Sequence, residues 1–271
     1  MKVFLDTETS GTRAQEIAQL SYIITDDELS IVRAKNYYFA VGSMSPFATK
    51  VHGLTIKSLR GLSGGVRFVD KAHEVLADLA GCQLVCHNYR ADFDILRREF
   101  ERAGLSYSPP GVFCTMAHFR GVCVIADQNG ANKNPSLREL IDIYAIEEEE
   151  IAEITAQAFG TQGLPQHDGR YDAAALYAVC RTALDVMDYG IDARDPVEIS
   201  TKKRAPLAVV PDETQNPAQV VSLADERRKK AHLARKKQRQ LAALRGEGSL
   251  RKYAWPLLAL LVLVSLLLRV M

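Results

Sequence analysis

The chain has 271 residues, 47% of them hydrophobic, enough for one sizeable core plus extensions. Its net charge of +1 hides an acidic body and a basic tail: from Asp225 onward twelve Lys/Arg face only Asp225, Glu226 and Glu247, so the tail carries about +9 and residues 1–224 about −8. The acidic body argues against a protein that grips a long stretch of nucleic acid, and five irregularly spaced cysteines exclude a disulfide framework. Cys82 and Cys86 have no second pair to make a zinc site, so reduced thiols in an intracellular compartment are expected. The apolar run at Val3–Leu5 is too short for a signal peptide.

In chain order, Val3–Leu5 reads as a short strand that ends at an acidic pair. Ile17–Thr25 and Ile31–Val41 read as the next two strands, with Asp26-Asp27-Glu28 as the turn between them. Val66–Leu79 has helical periodicity, with Val69, Ala72, Val75, Leu76 and Leu79 on one face. Leu84–Cys86 is a short buried strand, and Asp92–Arg102 a helix with Phe93, Leu96 and Phe100 at core spacing. Val112–Thr115 is a candidate fifth strand. Ser136–Tyr144 reads as a short helix behind Pro135, and Tyr171–Met187 as a long one burying Ala174, Tyr177 and Cys180. Strands first, then alternating helices and strands, predict an α/β fold with a mixed sheet flanked by helices.

Residues 1–190 form the expected globular unit. Residues 191–223, with Pro196, Pro206, Pro211 and Pro217, read as a linker. Residues 224–252 read as a basic helical segment. Residues 253–271 read as a C-terminal apolar helix and membrane anchor, because Trp255–Leu268 contains no charge. A helix over Ala254–Leu268 spans about 22 Å at 1.5 Å per residue, short of a roughly 30 Å hydrocarbon core, but Arg269 can snorkel and Tyr253 and Trp255 suit an interfacial belt. The basic residues before the anchor put residues 1–190 on the cytosolic side of the membrane.

Three separated motifs carry the chemistry. Asp6 and Glu8 lie two apart in a strand, so both carboxylates share one face, and two like charges that close are costly unless a cation or proton joins them. Asp92 opens a helix directly after a strand, and Asp172 lies in the first turn of the last helix of the unit. All four can meet at one end of a sheet, where oxygen ligands favour Mg²⁺ or Mn²⁺, and two such cations suit in-line displacement at a phosphate. His167, five residues before Asp172 in a Gly-rich segment, is the candidate general base. Its neighbour Asp168, like Asp94, reads as solvated or capping.

The motifs Phe4-Leu5-Asp6-Thr7-Glu8-Thr9, His87-Asn88 through Asp92-Phe93-Asp94, and His167 through Asp172-Ala173 together resemble those of the DEDDh 3′–5′ exonucleases (DnaQ-like, ribonuclease T-like and Trex-like). The resemblance covers about residues 1–188. It implies a ribonuclease H-like fold and release of nucleoside monophosphates from 3′ ends. It implies that Asp6, Glu8 and Asp172 bind one cation and that Asp6 reaches a second, supported by the second-motif aspartate. The choice there lies between Asp92 and Asp94, with the Asn-to-Asp spacing favouring Asp92. Gly169 stands where the family carries a small residue two after the His, a mild departure. By the same likeness Thr7, Thr9, His52, Leu54, Asn88 and Arg170 are substrate-binding candidates, with Leu54 a wedge at the terminal base.

The expectation is thus a membrane-tethered, Mg²⁺- or Mn²⁺-dependent 3′–5′ exonuclease acting on single-stranded DNA or RNA ends, with a homodimer as a further possible partner state. The rivals are a non-catalytic nucleic-acid-binding protein on the same fold and an RNA-trimming exoribonuclease.

Overall fold

The structure is a computed structural model that describes residues 1–11, 15–123 and 125–187. The linker, basic segment and anchor expected over 191–223, 224–252 and 253–271 lie outside those residues, as does the end of the 1–190 unit. Among the described residues, no helix is long and apolar enough to cross a membrane.

Three consecutive strands, β1 (Lys2–Thr9), β2 (Ile17–Thr25) and β3 (Ile31–Tyr38), form an antiparallel meander. Two helices follow, α1 (Pro46–His52) and α2 (Ile56–Ser63), then α3 (Phe68–Leu79). Next come β4 (Gln83–Cys86), α4 (Tyr89–Arg102), β5 (Val112–Cys114) and α5 (Thr115–Cys123). A small ribbon, β6 (Ile125–Ala126) and β7 (Asn132–Lys133), leads into α6 (Leu137–Ile143), α7 (Glu148–Phe159) and α8 (Gly169–Met187). The main sheet has the order β3-β2-β1-β4-β5, with β4 and β5 parallel to β1. This is the mixed sheet flanked by helices that the sequence predicts.

The central strand β1 divides two cores by simple alternation. Val3 and Leu5 point to a core shared with α3 and α4, through Val75, Leu79, Leu96 and Phe100. Phe4 points to the other, built from α6, α7 and α8 residues including Leu140, Ile151, Ala174 and Tyr177. Phe4 meets Tyr177 edge-on at 5.3 Å between ring centroids. Each such fully buried large side chain contributes roughly 1.5–3 kcal/mol. Strand β2 is buried along its whole length because helices cover both of its faces.

Several boundaries differ from expectation. Strand β1 runs on through the acidic pair to Thr9, because β2 keeps pairing with it as far as Thr9 opposite Ile17. Strand β3 stops at Tyr38. In α3 the inward residue of the first turn is Phe68, whereas Val69 is 45% exposed. Helices α1, α2, α5 and α7 have no counterpart in the sequence reading. For α1 the start signal is present: Ser45 caps it by accepting from the Ala48 N–H, with Pro46 directly behind.

Candidate active site

Asp6 and Glu8 share the alternation of Phe4, so they lie on the face of the sheet that α8 covers. Ladder pairing of β1 with β4 ends at Phe4 opposite Val85, while pairing with β2 continues to Thr9. The acids therefore sit where β1 has lost its neighbour on one side and the sheet opens. Helix α8 brings Asp172 to the same place from its first turn. The close approach depends on Gly169. A Cβ there would lie 2.9 Å from Ser21 Oγ and 3.5 Å from Asp6 Oδ2. The small residue two after His167 is thus a packing requirement.

Asp92 arrives from the opposite side of the sheet. Thr7 has the other phase on β1, and its Oγ1 donates to Asp92 Oδ1 at 2.8 Å. Helix α4 starts three residues earlier than predicted, at Tyr89 with Asn88 as its N-cap, so Asp92 does not open the helix. Its own N–H donates to the Asn88 carbonyl at 3.0 Å. It is 4% exposed, whereas Asp94 is half-buried further along the helix, its carbonyl accepting from Arg98 Nε at 3.1 Å.

The electrostatics follow from crowding acids in a dry place. Burial pushes the Asp6 carboxyl well above its ordinary value, and Asp172, Asp92 and Glu8 push it further. Glu8 rises for the same reasons, burial first and then Asp172 and Asp92. Burial also raises Asp92 and Asp172, opposed by the Thr7 hydrogen bonds in one and the His167 N–H in the other. Asp6 Oδ2 is buried with no hydrogen-bond partner.

His167 is exposed and has φ +63°, a left-handed conformation uncommon outside glycine. Its backbone N–H donates to Asp172 Oδ2 at 2.9 Å. Glu8, His167 and Asp172 each place a potential ligand atom within 4.8 Å of the others. A cleft of about 490 Å³ opens beside this cluster, lined by Asp6, His167 and Asp172 and also by Asn88, Lys133 and Asn134. Lys133 and Asn134 were missed in the sequence, since they reach the site only through the β6–β7 ribbon. His87 lines the same cleft, its Nδ1 3.0 Å from Thr115 Oγ1; burial lowers its pKa to about 4, with a Pro135 backbone contact opposing.

The remaining candidates fall around the rim. His52 Nδ1 accepts the Leu54 N–H at 3.1 Å, so its Nε2 carries the proton that it gives to the Thr9 carbonyl, also at 3.1 Å. Burial, with His167 nearby, lowers its pKa. Leu54 stays partly exposed, and its carbonyl accepts from Thr49 Oγ1. The Thr7 hydroxyl is engaged by Asp92. Arg170 is held by Asp168 Oδ2 at 2.7 Å and by the Tyr38 hydroxyl at 3.0 Å. Asp168 does cap α8, accepting from the Arg170 N–H at 3.0 Å, but it is not solvated: it also accepts from Gln19 Nε2 at 3.1 Å. Burial raises its pKa, and the Arg170 and Gln19 hydrogen bonds outweigh that and lower it overall. This Gln19–Asp168–Arg170–Tyr38 clamp joins residues far apart in sequence and has no local signature.

An exonuclease family model, RNase_T, matches residues 3–180. The chain belongs to this family, the DEDDh-type exonucleases. No curated protein matches the sequence. Among solved structures the exonuclease fold recurs in E. coli exonuclease I in complex with a dT13 oligonucleotide (18% identity, TM-score 0.51, 68% of this chain and 41% of that one). It recurs in the same enzyme with a dA16 oligonucleotide (18% identity, TM-score 0.50, 68% and 41%). It recurs again in a product-bound exonuclease I (17% identity, TM-score 0.50, 67% and 42%). The exonuclease chain described here therefore spans about two fifths of the length of those structures.

Proposed function

We propose that this exonuclease removes nucleotides one at a time from the 3′ ends of single-stranded DNA or RNA, releasing nucleoside 5′-monophosphates. The observation that carries the reading is the convergence of Asp6, Glu8, Asp92 and Asp172 on one another, with Asp6, Asp172 and His167 lining a cleft. The donor set suits divalent cations: it is built of carboxylates, and a buried Asp6 oxygen lacks any hydrogen-bond donor. Asp6, Glu8 and Asp172 would hold one Mg²⁺ or Mn²⁺, and Asp6 with Asp92 a second. When bound, these ions supply positive charge to the phosphate under attack and to the departing 3′ oxygen.

The protein's own residues do the rest. His167 takes the proton of the attacking water as the new P–O bond forms, and the bond to the 3′ oxygen breaks. Exposure of His167 lets it receive that proton and pass it to solvent. Asn88 and Lys133 face the cleft and orient the terminal nucleotide, with Leu54 against its base. Asp94 takes no part.

The oligonucleotide-bound exonuclease I structures support a single strand as substrate. We further propose that the chain is tethered to a membrane through residues 253–271, catalytic unit toward the cytosol. The uncharged run Trp255–Leu268 behind a basic segment supports this. Incubating the full chain with a single strand and Mn²⁺ tests the function. Mononucleotides should appear, and Asp6→Ala and His167→Ala should suppress them. Equal release by all three proteins contradicts it. Alkaline carbonate washing of membranes tests the tether, which release of the chain would contradict.

A further inference from the structure

From Leu29 to Val69 the sequence has no Asp or Glu but six Lys/Arg, within a body that is acidic elsewhere. Arg33, Lys35 and Arg67 have carboxylate partners in Asp78, Glu74 and Glu16. Lys50, Lys57 and Arg60 are exposed on α1 and α2, and none of them has an ion-pair partner among the described residues. On α1 Phe47 is 76% exposed and Val51 37%, an i, i+4 pair with nothing among the described residues packed over it.

The position of this surface ties it to the site. Ala48 and His52, the adjacent i, i+4 pair, face inward. Ala48 packs at Gly11, and His52 holds the carbonyl of Thr9, the residue after Glu8. The Ser45 N–H donates to the Ser10 carbonyl at 2.8 Å. Helix α1 is therefore fastened to the end of β1 immediately beyond the acids.

We propose that α1 and α2 form a ramp for the nucleic-acid strand leading into the site: Phe47 stacks on a base, Val51 lies against its neighbour, and Lys50, Lys57 and Arg60 contact successive phosphates. This rests on the exonuclease reading and adds to it the residues that hold nucleotides upstream of the scissile one. A face of aromatic and lone cationic side chains matches the alternating stacked bases and phosphates of a single strand. The acidic remainder of the body repels the strand and confines contact to a few nucleotides.

The test compares the full chain on a long oligothymidylate and on the p-nitrophenyl ester of thymidine 5′-monophosphate, which offers a single nucleotide and lacks the upstream ones assigned to Phe47 and Lys50. In Phe47→Ala, kcat/KM on the oligonucleotide should fall roughly five- to hundredfold relative to kcat/KM on the ester. Phe47→Trp should restore the ratio. In Lys50→Glu/Lys57→Glu, the salt dependence of oligonucleotide cleavage should flatten by about 0.7 in log–log slope per lost phosphate contact. An active parent whose variants keep both the ratio and the slope overturns the ramp and leaves the surface to a protein or membrane partner. Equal losses on both substrates also overturn it, as a folding effect. A parent inert on both substrates overturns the function on which the ramp depends.

Discussion

Thr7 Oγ1 and Asp92 Oδ1 are joined by a 2.8 Å hydrogen bond that reaches from β1 to α4 past the open side of the sheet. It fixes the one acid that comes from the opposite layer of the fold, and it lowers the pKa of a carboxyl that burial raises. Thr7→Val should therefore shift the acidic limb of the pH–rate profile upward, because Asp92 then holds its proton to higher pH. A hydrogen bond to a charged group contributes about 1.5–3 kcal/mol, so kcat/KM should drop about ten- to hundredfold near neutral pH. Thr7→Ser should restore both. An unmoved limb in Thr7→Val contradicts this role.

The acid cluster makes the metal-free protein sensitive to alkali. Asp6, Glu8, Asp92 and Asp172 all have folded pKa values above their unfolded ones. In the window between those values the folded state binds more protons, so stability is greatest below the unfolded carboxyl pKa and falls as pH rises. Without divalent ions, the melting temperature should decline from about pH 5 to pH 8. Asp6→Asn should be more stable than the parent at pH 8 by a few degrees, since about 1 kcal/mol moves a chain of this size by roughly 2–4 °C. Mn²⁺ should reverse the order by stabilising the parent alone. Thermal melts with and without Mn²⁺ check this, and a parent whose melting ignores the ion would contradict it.

His167 is exposed, so replacing it should leave the fold intact while removing the proton acceptor. His167→Ala should lose about 10²–10⁴-fold in kcat with an unchanged melting temperature. Kinetics beside a thermal melt separate the two effects.

Gly169 tests the packing of α8. Its substitution by Ala drives a methyl group toward Ser21 Oγ, at 2.9 Å, and close to Asp6. Gly169→Ala should destabilise by about 1–3 kcal/mol and weaken activity, because α8 carries Asp172 and must move outward. Denaturant melts measure the first effect and turnover the second.

Much of this was legible in the sequence where local pattern decides. The β2 boundaries, the core spacing of α4 and the order of the three motifs follow from alternation, helical periodicity and the Asp-x-Glu pair. The Asn-to-Asp spacing already favours Asp92, whereas its contact with β1 shows only in the structure, since it depends on where α4 starts and on Thr7 across the sheet. Helices α1 and α2 are only seven and eight residues long, and α1 leaves its apolar Phe47 and Val51 outside, so no buried stripe announces it. The contacts of Asp168 with Gln19 and of Arg170 with Tyr38, and the approach of Lys133 to the cleft, are assembled by tertiary structure, and no sequence window spans them.

The most direct measurement follows a 5′-labelled single strand with the full chain and Mg²⁺ or Mn²⁺. A metal-dependent ladder that shortens progressively from the 3′ end is expected. Asp92→Ala should abolish the ladder and Asp94→Ala should keep it. Internal cuts, a ladder independent of metal, or loss of activity in Asp94→Ala with retention in Asp92→Ala would contradict it.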